Sequence, residues 1–269
     1  VVHPGPLDPV VRASIEAFVD EVIETDGDRF SSASYQEGVD RVLRLHDVDE
    51  IVLTGDSWFG PVGDPAPLLT RMDGVELDAW DLLPAAPPRE AFPEEGFPAV
   101  PDRPWFFTAL RRSVFESGVW NRWWDLPIDG GDRERHLLPF LVDAGLAHKR
   151  AFDTEHLHAH DPGLFAPEDL LELGVPFVDR AVFSSYPPFL DRFAILGQEI
   201  ARMMSFRGYP IDVLRSSLSS CVPPKALNAN LGLLSVLSDV AAEERGAPSL
   251  SVAAVVHVSD MEGVDELLH

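Results

Sequence analysis

Over roughly the first 83 residues, short apolar runs alternate with stretches whose apolar positions recur at helical spacing. "VVHPG" reads as a strand, residues 10–22 as a helix, "DEVIET" as a second strand, residues 34–45 as a second helix and "EIVLTGD" as a third strand. Strands alternating with helices build βαβ units, so the pattern predicts an α/β fold around a mainly parallel, Rossmann-like sheet. Residues 84–104, "PAAPPREAFPEEGFPAVPDRP", carry too much proline for a regular element and read as a loop over the sheet edge or a lid. The pattern resumes with "PWFFTALRRSVF" and "GVWNRWW", then a helix over 132–144 that Gly145 ends. Residues 187–240 read as largely helical, with breaks at Gly208-Tyr209-Pro210 and at Pro223-Pro224. The last stretch, "SLSVAAVVHVSDMEGVDELLH", reads as a strand followed by the start of a helix. The expected organisation is an α/β domain over 1–183, a helical subdomain over 184–248, and a segment over 249–269 that opens a following unit or completes the sheet.

Composition narrows the function classes. The 269 residues are 45% hydrophobic, and no apolar run approaches the roughly 18 residues needed to span a bilayer. Against 45 acidic residues stand 21 basic ones, a formal charge of −24 that repels phosphate backbones and anionic membranes alike. A phosphorylated ligand would therefore need a local cation. With only two lysines, Lys149 and Lys225, that cation is expected to be an arginine or a metal. Cys221 is the single cysteine and forms no intrachain disulfide; it reads as a small buried apolar residue in a reducing compartment.

Candidate chemistry gathers where the third strand runs into "GDSWFGP". Ligands of open parallel sheets bind beyond the carboxyl ends of the strands, and Asp56 stands at such an end. Its carboxylate could hold a divalent cation that bridges a diphosphate, or it could cap the following turn, as Asp and Ser commonly do. "EHLHAH" sets His156, His158 and His160 two apart, which on a strand would put three possible zinc ligands on one face. The "DPG" turn that follows favours a loop instead. Phe193, Leu196, Ile200, Met203 and Met204 form a helical stripe that reads as core rather than as a membrane-lying face. Trp120, Trp123 and Trp124 could stack on sugar rings, but their helical spacing favours core packing.

Taken in order, "VDEIVLTGDSWFGP", "ELDAWDLL", "FFTALRRSVFESGVWNRWW", "ERHLLPFLVDAGL", "LLELGVPFVDRAVF" and "YPIDVLRSSLSSCVPPKALNANLGLLSVLSDV" resemble successive blocks of the rhamnan synthesis protein F family. The resemblance implies a glycosyltransferase of rhamnose-containing cell-surface polysaccharides, with a GT-A-like nucleotide-sugar-binding fold in its first part. The family usually has Asn-Asp-Ser and a Gly-Pro turn at the end of this strand. Asp56, Ser57, Gly60 and Pro61 match that pattern, and Gly55 does not. The family's helix-borne acidic residue falls on Glu134, with Leu137, Leu141, Asp143, Ala144 and Gly145 in register behind it. A carboxylate there would serve as the general base of an inverting sugar transfer, or would be an exposed helix-start Glu favoured by the dipole.

Two places depart from the family. Asp26, Gly27, Arg29 and Phe30 keep only part of the family's pattern of an Arg, an Asn and a Gly followed by Asp-Phe-Gly, Ser31 replaces a glycine, and Pro104 and Trp105 stand where the family often has Gln-Ser. The resemblance thus implies a metal-assisted transfer from a nucleotide-diphosphate donor, with dTDP-rhamnose a candidate, to a glycan acceptor. Asp56 would bind the divalent cation, Mg²⁺ or Mn²⁺; Asp26, Arg29, Ser57, Trp58 and Trp105 would line the nucleotide sugar; and Glu134 would be the base. The altered segments leave open a transferase-like domain without catalysis, acting as a glycan-binding or assembly scaffold. The family's strand and helix ahead of "VVHPG" imply that the chain is a segment of a larger transferase with further domains. The expected location is the cytoplasm or the inner face of the membrane, with no nucleic-acid partner and no integral membrane segment.

Overall fold

The structure, a computed structural model, describes residues 1–25, 32–84, 107–126, 137–157, 159, 161–185, 187–192 and 194–233. It divides into two compact units, Val1–Leu233 and Leu234–His269. The second, with the strand expected over 252–258, lies outside the described residues.

The opening pattern folds largely as it reads. β1 (Val2–Pro4), α1 (Pro9–Glu16) and β2 (Ile23–Thr25) form a βαβ unit in which Val2 lies opposite Ile23 in a parallel pair. The Asp8 carboxylate accepts from the Val10 amide at 2.9 Å and caps α1. α1 stops at Glu16 instead of continuing to residue 22. It buries none of its residues, so no packing supports a helix beyond what local propensity sustains.

After α2 (Ser32–Leu45) come β3 (Glu50–Thr54), β4 (Trp58–Phe59), α3 (Ala66–Asp73), β5 (Ala79–Asp81) and β6 (Phe107–Arg111). Next are α4 (Arg112–Glu116), α5 (Val119–Trp124), α6 (Leu137–Asp143), β7 (His148–Arg150), and a 3-10 turn at Glu155–Leu157. α7 (Pro162–Phe165), α8 (Pro167–Glu172), β8 (Val178–Asp179) and α9 (Ala181–Ser184) lead into α10 (Pro187–Arg192), α11 (Gly197–Phe206), α12 (Ile211–Cys221) and α13 (Pro224–Leu231).

The main sheet has the order β3-β6-β5-β7, and β4 pairs separately with β8. The expectation of a mainly parallel sheet needs correction. β6 runs antiparallel to both β3 and β5, and only β5 and β7 pair in parallel, so the sheet is mixed. Apolar patterning fixes which faces a strand buries, but not the direction in which a strand arriving from far along the chain enters the sheet. β3, β5 and β7 still share one direction, and their carboxyl ends lie on one edge.

Both faces of the sheet are covered at its centre, along β5 and β6. Ala79 and Leu110 face a layer containing Val39, Val114, Trp120, Trp123 and Leu141. Their neighbours Trp80 and Ala109 face Met72, Leu170, Val175 and Phe177 on the other side. Trp120, Trp123 and Trp124 pack edge-on or tilted against one another as core, not as a sugar platform. Gly145 ends α6 at a φ of 85°, and the Leu146 amide returns to the Leu141 carbonyl at 3.0 Å.

α10 to α13 pack with α7 to α9 around Phe183, Leu190, Ile200, Met204, Leu214 and Leu218. The breaks fall at Gly208 and Pro223, as the sequence predicts, and Ile200 and Met204 are fully buried, so α11 is a core helix. Phe59 and Val62, which follow the strand-end turn, belong to this same core.

Candidate functional site

The edge formed by the carboxyl ends of the parallel strands carries the turn that holds Asp56. Thr54, the last residue of β3, is fixed twice: its carbonyl accepts from the Tyr35 hydroxyl at 3.1 Å and its hydroxyl from the Trp58 indole N–H at 2.8 Å. On the far side, Trp58 pairs with Asp179 and Phe59 with Val178, and the Arg180 amide donates to the Ser57 carbonyl at 2.9 Å. The Asp56-Ser57 turn is therefore held from both ends. Gly60 is required immediately after it, because a Cβ there would stand 2.6 Å from the Pro176 carbonyl oxygen. The Val62 amide then donates to that carbonyl at 2.7 Å.

A chain of aromatic contacts runs from the turn into the core. Trp58 meets Phe177 edge-on with centroids 4.1 Å apart, Phe177 lies 5.5 Å from Phe107, and Phe107 lies 5.3 Å from Trp80. Asp81, at the end of β5, is buried between His148, whose Nε2 is 3.2 Å away, and Arg150, whose Nε is 3.5 Å away. Asp179 is buried as well, and its Oδ1 accepts from the Ala181 amide at 2.7 Å to start α9.

Arg180 stands on the opposite face of β4 from the Trp58–Phe177 pair. Its guanidinium carbon lies 4.7 Å from the Phe59 ring centroid, and one Nη donates to the Ser217 hydroxyl at 3.1 Å and to Cys221 Sγ at 3.5 Å. Burial pushes the nearby Tyr209 phenol above its ordinary value of 10.0, while the charge of Arg180 pulls it back.

Of the residues singled out in the sequence, Asp56 is exposed and Ser57 and Trp58 are half-buried, all three on this one turn. Asp26, Arg29, Trp105 and Glu134 lie outside the described residues, as do His158 and His160; His156 is exposed in the 3-10 turn. Among the described residues no three His, Cys, Asp or Glu side chains come together as a metal-binding group. A lone exposed carboxylate such as Asp56 suits a cation shared with substrate oxygens better than a closed protein cage. Cys221 corrects an expectation: it is exposed at the end of α12, because α12 turns Leu214 and Leu218, not its last residue, into the core. The sequence reading missed Arg180, whose signal was a single charge pair, Asp179-Arg180, inside the apolar run "VPFVDRAVF". Among the described residues no helix is long and apolar enough to cross a membrane.

The rhamnan synthesis protein F family model matches residues 1–269, the whole chain. The chain belongs to the rhamnan synthesis protein F family. Its role accordingly lies in rhamnan and related polysaccharide synthesis. Comparison with curated proteins and with solved structures gives no significant match to either. The turn after β3 is thus the family block "VDEIVLTGDSWFGP" seen in three dimensions, clamped between Thr54 and the backbone of Arg180.

Proposed function

We propose that the chain is a glycosyltransferase that moves a sugar from a nucleotide-diphosphate donor, with dTDP-rhamnose the first candidate, onto a growing cell-surface polysaccharide. The observation that carries this reading is the fixed turn at the end of β3: it presents an exposed Asp56 on the edge where β3, β5 and β7 end, within a chain of this family. That shared strand direction also supports a GT-A-like arrangement of the α/β part.

In this reading Ser57 and Trp58, with Asp26, Arg29 and Trp105, line the donor. Asp56 would hold a divalent cation jointly with the donor phosphates, and the cation would offset charge on the leaving diphosphate. Glu134 takes the proton from the acceptor hydroxyl as that oxygen attacks the anomeric carbon. The bond from that carbon to the diphosphate oxygen breaks, and the nucleoside diphosphate leaves with the electron pair.

Thermal melting with a panel of nucleotide sugars, with and without Mn²⁺, tests the reading. A ligand at 100 times its dissociation constant adds about 2.7 kcal/mol to stability, so a bound donor raises the melting temperature measurably. Stabilisation that requires both donor and metal supports the enzyme. Stabilisation by glycan alone, with none by any nucleotide sugar, points to a scaffold instead.

A further inference from the structure

The strongly acidic chain makes a half-buried cation without a counter-charge informative. Among the described half-buried arginines, Arg12 pairs with Glu16 and Glu24, Arg111 with Glu50 and Arg112 with Asp47, and Arg207 donates to the Leu171 carbonyl at the end of α8. The Arg180 side chain meets neither a carboxylate nor a carbonyl among the described residues. Its contacts are a ring face, one hydroxyl and one thiol, all of them neutral. A guanidinium carries five N–H donors in a planar fork, and these contacts engage the donors of one nitrogen. Desolvating a charge in part without a partner costs stability, and a site of this kind is relieved by an anion that supplies oxygen acceptors in the guanidinium plane.

The backbone ties Arg180 to the strand-end turn. The Arg180 amide is bonded to the Ser57 carbonyl, so its backbone adjoins the residue that follows Asp56. The Ser217 hydroxyl accepts from the guanidinium, and Cys221, whose Sγ also accepts from it, is exposed to solvent. The guanidinium carbon lies 4.7 Å from the Phe59 ring centroid, a cation–π contact that helps hold the fork in place.

We propose that Arg180 is a diphosphate-binding residue, holding phosphate oxygens of the nucleotide-sugar donor through its free N–H groups with help from the Ser217 hydroxyl. This rests on the transferase reading for the identity of the ligand, but not for the existence of the anion site. The bound anion turns a half-buried lone charge into a charge-assisted pair, and discriminates a diphosphate from a neutral sugar.

The test uses inorganic pyrophosphate as the probe on the full chain. Calorimetry should show binding to the wild type that Arg180→Gln weakens at least tenfold, that Arg180→Lys restores only in part, and that Arg44→Gln, at an exposed arginine remote from the turn, leaves unchanged. Arg180→Gln should melt as the wild type does. If it does not fold, the wild type alone decides: pyrophosphate should slow modification of Arg180 by phenylglyoxal, read by mass spectrometry, and leave Arg44 modified at the same rate. Absence of pyrophosphate binding, equal affinity in Arg180→Gln, or no protection of Arg180 overturns the proposal. Pyrophosphate held by Arg180 in a chain that binds and turns over no nucleotide sugar leaves the anion site standing and removes the transferase reading. Nucleotide sugar turned over equally by wild type and Arg180→Gln does the reverse.

Discussion

The guanidinium of Arg180 lies 4.7 Å from the ring centroid of Phe59, which packs edge-on against Phe183 in the core of the helical part. Phe59 is three residues beyond Asp56 and is buried with Ile200, Met204 and Leu218. The turn that presents the candidate site is consequently built from both parts: its start is pinned by β3 and its end is sunk into helices that follow more than a hundred residues later.

That dependence predicts the fate of a truncated chain. Ending the protein after residue 186 removes α10 to α13 and exposes Phe59, Val182 and Phe183, each of which contributes roughly 1.5–3 kcal/mol by burial. The truncated chain should be insoluble, as judged by sedimentation after expression. A soluble product with a cooperative thermal transition would show that the helical part is dispensable to the α/β part.

Arg111 should be a structural arginine. Its guanidinium donates to the carbonyls of Met72 at 2.6 Å and Val75 at 2.7 Å, satisfying the end of α3, while its Nε meets Glu50 at 3.4 Å. Arg111→Ala strands these half-buried acceptors and should cost on the order of 1–3 kcal/mol in urea unfolding. Arg111→Lys should recover less than half of that loss, because a single ammonium cannot span the fork. Full rescue by lysine would mean that charge alone matters there.

Tyr209 gives a pH signature. Burial raises its folded-state pKa above the ordinary 10.0, so the folded chain keeps a proton that the unfolded chain gives up. The stability this contributes is fully present below about pH 10 and is lost as pH rises through the raised value. Unfolding followed from pH 8 to 11 should show an alkaline loss that Tyr209→Phe diminishes; identical profiles for both proteins would contradict a half-buried, protonated phenol.

What the sequence made legible was local. The short strands in "VVHPG", "DEVIET" and "EIVLTGD" and the breaks at Gly208 and Pro223 each follow from residue-level stereochemistry, and the structure has them where the pattern puts them. The reversed direction of β6 and the exposure of Cys221 were not legible, since both depend on which surfaces meet across long chain separations. For the site, the strand-end position of Asp56 could be read directly, whereas Arg180 acquires its neighbours only when β4 pairs with β8, some 120 residues apart. Asp26, Arg29, Trp105 and Glu134 belong to segments outside the described residues, so their roles are judged by experiment.

Asp56→Asn separates metal binding from turn formation. Asparagine keeps the size and the turn-forming capacity but removes the charge, so the melting temperature should stay within about a degree while Mn²⁺-dependent donor affinity falls at least tenfold, about 1.4 kcal/mol. Unchanged donor affinity in the variant would leave Asp56 a turn residue and remove it from the metal site.

The central claim is sugar transfer by this chain, and turnover tests it most directly. Release of nucleoside diphosphate from a nucleotide-sugar panel, dTDP-rhamnose first, should be measured with Mn²⁺ and a rhamnan acceptor, alongside donor binding by calorimetry, for wild type and Glu134→Gln. The account predicts acceptor-dependent release by the wild type, slowed roughly a hundredfold or more in Glu134→Gln with donor affinity unchanged. Acceptor-dependent release at equal rates in both proteins would contradict Glu134 as the base, and a wild type that neither binds nor consumes any nucleotide sugar would contradict the transferase itself.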